Sequence, residues 1–373
     1  MGHPTDIALV SLGTTMGLRE SDAAFARLVR AAGASCEILP VSFGAAGQLR
    51  RRSMLLIDVV EALAARRAAA RATGRARAIV YSSVTAALLA PAPGVPTAIR
   101  FDGIAAQNRP GRGGAWQRRR ERSVLGAATL LLPLSEPAAA AAAAATAPAV
   151  PPIVLFPPPL DVRRAPARPP SAGAAGGAAS SARGTASPPA AAAYAANPDK
   201  RGLDLLCEAW RAARPTGDAT LAIGGIDRDA GRRWLARHGV DEPPGIEWLG
   251  RLDRERWLAV VASAGVFVSA ARFEDWGLAQ MEALAAGTPL VTTATPGANA
   301  ALPLAHELAP ELVATERTPP TLATALRAGL ALDPAQRAAY AARAAAMLEP
   351  YGEEALRRRM AEEILPRLLS SSA

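Results

Sequence analysis

The sequence predicts an α/β protein made of two doubly wound domains, and three observations carry that expectation. Short apolar runs alternate with helix-patterned stretches through the first half of the chain, and the same alternation resumes in the second. Between the two series, residues 163–189 are a mixture of Ala, Pro, Gly and Ser with no periodic apolar pattern, a composition that buries too little surface to order itself. A length of 373 residues suits two ordinary domains, each with a sizeable core.

The first series opens on Ile7-Ala8-Leu9-Val10 and continues with apolar runs at 36–41, 78–82, 97–101 and 129–134. Continuous rather than alternating hydrophobicity marks strands buried on both faces of a parallel sheet. Helices are expected at 21–32, with Ser21 as its cap, at 53–72 and at 115–126. Beyond the linker, strands are expected at 190–195, 219–223, 246–249 and 266–269, and helices at 203–213 and 254–263. Residues 334–369 carry a helical pattern to the end. The resulting division is a first domain at 1–162, the linker at 163–189, a second domain at 190–350 and a final helix at 351–373.

Composition excludes several classes. Half the residues are apolar but only 4% are aromatic, so the cores are built from Ala, Leu and Val. Cys36 and Cys207 lie far apart in a buried strand and helix, which is no disulfide framework and fits a reducing cytoplasm. The chain passes from Met1 and Asp6 into a strand without the basic and apolar regions of an export signal. Asp6 stands where a myristoylation site needs Ser or Thr. The apolar stretch at 123–161 is broken by Ser135-Glu136-Pro137 and further prolines, which argues against a membrane span. The positive charge behind the net +9 is almost entirely arginine in an Ala-, Gly- and Pro-rich chain, a bias that reads as codon usage in a GC-rich genome or as a selected basic surface. With no aromatic-and-basic strand pattern, nucleic acid is not an expected partner.

The stretch richest in chemistry runs from Phe267 to Thr293. A strand ends near Ser269, a loop carries Glu274, and a helix begins at Gly277-Leu278 and stops at Gly287, with Pro289 just beyond. Leu278, Met281, Glu282 and Ala285 fall at helical spacing, so Glu282 shares the inward face. A carboxylate there needs a protein donor or ligand hydroxyls, and a ribose offers two of the latter. The helix start presents backbone N–H groups and a positive dipole end suited to a diphosphate, and Gly277 permits close approach.

Glu274-Asp-Trp-Gly277-Leu278, Glu282 and Gly287-Thr-Pro289 together resemble the Glu-x7-Glu signature of retaining GT-B-fold glycosyltransferases of family 4. The resemblance extends to Trp248-Leu-Gly250-Arg251, to Gly224-Gly225 and to Lys200-Arg201-Gly202-Leu-Asp204, covering roughly 190–303. It implies two Rossmann-like domains facing a cleft, the second binding a nucleotide sugar and the first an acceptor. By that resemblance Glu274 meets the donor sugar as a catalytic-site residue, Glu282 holds the ribose, and Lys200, Arg201 and the Gly277 and Leu278 amides hold the diphosphate. The final helix would cross back onto the first domain. No cofactor is implied, and no metal, because positive side chains and helix amides can stabilise the leaving diphosphate.

Lys200 is the only lysine among 42 basic residues, and a compact ammonium suits a phosphate oxygen in a tight site. In the resembled family the phosphate lysine directly precedes the glycine, which here is Arg201, so either cation can serve. The family's preceding arginine is replaced by Ala195-Ala196, and its first-domain histidine by Ile99-Arg100-Phe101-Asp102-Gly103, which leaves Asp102 or Arg100 to face the cleft. Gly13, in the loop after the first strand, either offers its backbone to donor phosphate or acceptor or forms an ordinary turn. His3, His238 and His306 have no ligand spacing, and Asp227-Arg228-Asp229 reads as helix capping rather than a metal site. The clusters Arg50-Arg51-Arg52 and Arg118-Arg119-Arg120 with Arg122 offer contact with an anionic lipid surface or acidic glycan, or are simply solvated helix faces.

The sequence therefore points to a metal-independent, retaining glycosyltransferase in the cytoplasm, with possible peripheral contact at the inner face of a membrane. Its partners are a nucleotide sugar and a glycan, lipid-linked or small-molecule acceptor. A nucleotide-sugar epimerase and a non-catalytic nucleotide-sugar-binding protein are the alternatives from other classes.

Overall fold

The computed structural model describes residues 5–14, 16–43, 54–90, 94–109, 111–162, 188–213, 215 and 218–370. Arg50, Arg51 and Arg52 and all but the last two residues of the expected linker lie outside the described residues. The chain forms two compact units, Met1–Pro159 with Pro350–Ala373, and Leu160–Glu349.

The first unit holds a five-stranded sheet of β1 (Thr5–Ser11), β2 (Cys36–Pro40), β3 (Ala76–Tyr81), β4 (Thr97–Phe101) and β5 (Leu130–Pro133), in the order β2-β1-β3-β4-β5. Every pairing is parallel. The apolar runs became strands because both of their faces are covered: Ile7, Leu9, Ala78 and Leu130 are at most 1% exposed. One core beside this sheet joins Phe25 and Leu28 to Phe156 and to Leu356, Met360, Ile364 and Leu368 of the C-terminal segment. Arg359 Nη1 also donates to the Leu155 carbonyl at 2.8 Å.

Three details differ from the sequence reading. The first helix spans Met16–Ala31, so Ser21 lies inside it rather than capping it. Its hydroxyl is drawn instead to Arg100 Nη2, 3.0 Å away. Arg100 does not face outward: it is 3% exposed, with Nη1 3.1 Å from Asp22 Oδ1. Burial pushes the Asp22 carboxyl up and the Arg100 guanidinium down, and each is pulled back by the other. The alanine run after Ser135-Glu136-Pro137 forms a helix, Glu136–Thr146, capped by the Ser135 hydroxyl on the Ala138 amide.

The second unit holds β6 (Ala191–Tyr194), β7 (Leu221–Gly224), β8 (Ile246–Gly250), β9 (Val266–Ser269), β10 (Leu290–Thr293) and β11 (Val313–Ala314), in the order β11-β10-β9-β6-β7-β8 and all parallel. Helices Leu203–Ala213 and Pro319–Leu330 pack together. Helix Arg228–Arg237 is capped by Asp227 Oδ1 on the Ala230 amide. The helix after Gly277 spans Leu278–Ala285 and is enclosed more fully than a one-sided pattern suggests: Gln280 through Ala285 are all buried, whereas Leu278 is half-buried. No helix among the described residues is long and apolar enough to cross a membrane.

Candidate functional site

In the second sheet β7 and β8 extend to one side of β6, and β9, β10 and β11 to the other. The order in which strands are added therefore reverses between β6 and β9, and loops leaving the carboxyl ends of two such strands splay apart into a crevice where open α/β sheets bind ligands. Tyr194, Arg201, Ser269, Ala270, Ala279 and Gln280 line a pocket there.

The loop after β6 becomes a single helical turn, Pro198–Arg201, because Asn197 Oδ1 accepts from the Lys200 amide at 3.0 Å. Gly202 ends the turn with φ 63°, and a Cβ there would sit 2.2 Å from the Ala270 carbonyl oxygen. Only glycine lets this loop rest on the loop after β9. The contact is sealed by the Arg272 amide donating to the Lys200 carbonyl at 2.9 Å. Lys200 and Arg201 are thereby held at the crevice.

The loop after β9 presents Glu274, whose side chain is 5% exposed. Its amide donates to the Pro296 carbonyl at 3.0 Å. Gly297, with φ 112°, lets the loop after β10 approach, since a Cβ there would lie 2.1 Å from the Glu274 carbonyl oxygen. The Glu274 carboxylate pairs with Arg201 Nη1 through Oε2 and lies 3.8 Å from Lys200 Nζ through Oε1. Asp275 Oδ2 is 3.5 Å from the same ammonium.

Gly277 precedes the helix with φ 79°, and the start of that helix is set by buried amide side chains. Gln280 Nε2 donates to Ser269 Oγ at 2.7 Å, and Asn299 Nδ2 donates to Gln280 Oε1 at 3.0 Å. First-turn amides of any helix have no intrahelical acceptor, and here they start beside Gly277 at the crevice. Glu282 is 7% exposed, and its Oε1 lies 2.6 Å from Nη1 of the half-exposed Arg254.

Residues 191–332 match the model of the family described as glycosyl transferases group 1. That match spans the strands and helices of the second unit up to Leu332. Solved structures extend the likeness to the whole chain at the level of fold. Sucrose-phosphate synthase from Thermosynechococcus elongatus is 16% identical with a TM-score of 0.69, covering 99% of this chain and 100% of that one. HepE of Anabaena, solved in complex with UDP and glucose, is 14% identical with a TM-score of 0.60, covering 96% and 99%. A trehalose-6-phosphate protein from E. coli bound with UDP-2-fluoro glucose is 12% identical with a TM-score of 0.66, covering 97% and 99%. The two parallel sheets are thus those of the GT-B fold. Among curated proteins none matches the chain.

The matched segment brings Lys200, Arg201 and Glu274 into direct contact and sets Gly277 and Leu278 at the head of the helix that carries Glu282. The two other sequence-derived candidates belong to the first unit. Gly13 follows β1 with φ 55°, and its carbonyl accepts from Arg19 Nη1 at 2.8 Å. Asp102 follows β4 and is half-buried. Sequence reasoning missed Arg254 as the partner of Glu282, and no spacing signal links two residues on separate helices. It also passed over Asp275, whose acidic neighbour and distant lysine were both visible but whose proximity to Lys200 was not.

Proposed function

We propose that the protein transfers a sugar from a nucleotide-sugar donor to an acceptor, with retention at the anomeric carbon and without a metal ion. The observation that carries this reading is the convergence of Lys200, Arg201 and Glu274 on the crevice between β6 and β9, beside the helix that begins at Leu278. Two cations and the amides of a helix start supply the positive field that a departing nucleoside diphosphate requires. Glu282 offers acceptor oxygens to the ribose hydroxyls, with Arg254 as its partner until the ribose arrives. The UDP and UDP-sugar complexes among structures of the same fold make UDP-sugars the first donors to try. Retention is supported by the Glu274-to-Glu282 spacing and its resemblance to family 4.

The first unit is assigned the acceptor, with Asp102 and Gly13 at the carboxyl ends of β4 and β1 as its candidate contacts. Trp116 is 43% exposed on the helix Ala115–Gly126, which also carries the exposed Arg119 and Arg122, features suited to peripheral contact with anionic lipid at the cytoplasmic face. Arg118 and Arg120 are otherwise engaged, donating to the Gly111 carbonyl at 2.9 Å and the Leu88 carbonyl at 2.8 Å.

The test is calorimetric titration of UDP-, GDP- and ADP-sugars into wild type, Glu282→Ala and Lys200→Ala. One donor family should bind wild type, and each variant should weaken it by about ten-fold or more, as expected for a lost charge-assisted contact. A folded wild type that binds none of the three would sink the reading.

A further inference from the structure

The carboxyl edge of the second sheet carries charged side chains that the crevice does not use. Helix Leu203–Ala213 follows β6 and helix Pro319–Leu330 follows β11, so both begin at that edge. They pack together, and Arg327 Nη1, in the last turn of the later helix, donates at 3.1 Å to the Ala212 carbonyl near the end of the earlier one. The two helices therefore run side by side in the same direction, and their positive ends lie together. Asp204 sits in the first turn of the earlier helix, and Arg317 stands two residues ahead of the later one. Arg272, from the loop after β9, pairs through Nη2 with Asp204 Oδ2 and donates through Nε to the Asp199 carbonyl at 3.0 Å.

Two guanidinium groups thus share one carboxylate. Burial first, and then the like charge of Arg272, push the Arg317 guanidinium down, against the opposing pull of Asp204. Among the described residues Arg317 Nε is buried without a hydrogen-bond partner, and so is Asp204 Oδ1, although buried polar atoms are ordinarily satisfied. The first is an orphaned donor and the second an orphaned acceptor. We propose that Arg317, Arg272 and Asp204 form a binding site for hydrogen phosphate, in which P–O oxygens accept from the two arginines and a P–OH donates to Asp204 Oδ1. Surplus positive charge and two helix starts select an anion over a neutral hydroxyl compound, and the guanidinium fork matches a phosphate. The ionised carboxylate only accepts hydrogen bonds, so it selects an anion that keeps a proton. Sulfate at neutral pH keeps none. Lys200 and Arg201 are paired with Glu274 instead and are no part of this site.

The test is calorimetry and thermal melting of the full chain in sodium phosphate, sulfate and chloride at matched ionic strength and neutral pH. Phosphate should raise the melting temperature of wild type above its value in sulfate or chloride, by mass action on a native-state site. Arg317→Gln should weaken phosphate by about ten-fold, as expected for a lost charge-assisted bond, and Lys200→Ala by less than about three-fold. Asp204→Asn should narrow the preference for phosphate over sulfate, because an amide can donate to either anion. In chloride Arg317→Gln should melt no lower than wild type, since it removes a desolvated cation set beside a like charge, and a lost affinity is then not a lost fold. Should it melt lower, Arg317→Lys decides, because it keeps the charge without the fork: a phosphate affinity between those of wild type and Arg317→Gln supports the site, and one equal to wild type overturns it. The inference is also overturned if phosphate stabilises wild type no better than sulfate, if Asp204→Asn leaves that preference unchanged, or if Arg317→Gln binds phosphate as wild type does. Loss of phosphate in Lys200→Ala alone would overturn it too, by placing the anion in the crevice.

Discussion

The two sheets invite comparison at their carboxyl edges. Each switches its strand order once, between β1 and β3 in the first unit and between β6 and β9 in the second, and each gathers polar side chains near that point. In the first, Ser11 Oγ donates to Asp22, Arg100 pairs with Asp22 and Ser21, and Ser82 Oγ accepts from the Leu12 amide. These groups are sealed: Arg100 and Asp22 are both 3% exposed. In the second, Lys200 and Arg201 are 36% and 22% exposed while paired with Glu274. The same topology thus yields a structural clasp at one edge and reachable charge at the other. What separates them is the desolvation of the cations, since a guanidinium with no route to solvent cannot trade its carboxylate for a ligand.

That contrast is sharpened most by Arg100→Ala. Removing the cation leaves Asp22 buried and unpaired by it, and the expected loss is about 3–5 kcal/mol of unfolding free energy in urea. Lys200→Ala, examined beside it, should cost less than about 1 kcal/mol. Equal losses would break the comparison.

A smaller effect is expected from Gly297→Ala. It places a Cβ against the Glu274 carbonyl at a residue with φ 112°, and the strain should cost about 1–3 kcal/mol and move Glu274 away from the cations. Donor affinity, read by titration, should fall together with thermal stability. A variant that loses stability but binds donor normally would show that the β10 loop does not hold the site.

An effect as small as that of Lys200→Ala is expected from Arg254→Ala. The guanidinium is half-exposed and Glu282 is 7% exposed, so the loss should be about 1 kcal/mol or less. The destabilisation should shrink when the nucleotide sugar is present, because ribose hydroxyls replace the lost partner. A loss that does not change with donor would place Arg254 outside the exchange.

Much of this was legible before any coordinates. Parallel strands buried on both faces leave continuous apolar runs, so β1, β6 and β9 could be read from Ile7-Ala8-Leu9-Val10 and its later equivalents. Helix punctuation marked Gly277 and Gly287 around the helix of Glu282. Three features were not legible, each for its own reason. The first helix starts at Met16, and Ser21, a good cap by composition, lies inside it and is claimed by a residue from β4. Arg100 looked like a cleft residue because a charged side chain beside a strand end is usually solvated, and its partner Asp22 lies on a distant helix. The alanine run at Glu136–Thr146 has too little polarity contrast to show a helical face.

By itself the sequence determined the α/β class, the succession of strands and helices, and which short motifs carry the charge: Lys200-Arg201-Gly202, Glu274 and Glu282. These follow from local propensity and periodicity, which act over a few residues. Only the tertiary structure decided which cation meets which carboxylate, that Arg254 covers Glu282, and that Arg100 is clasped while Lys200 is reachable. Those outcomes depend on strand order and burial, and the free energy of a charge is governed by its solvent exposure and by partners that the chain brings from dozens of residues away.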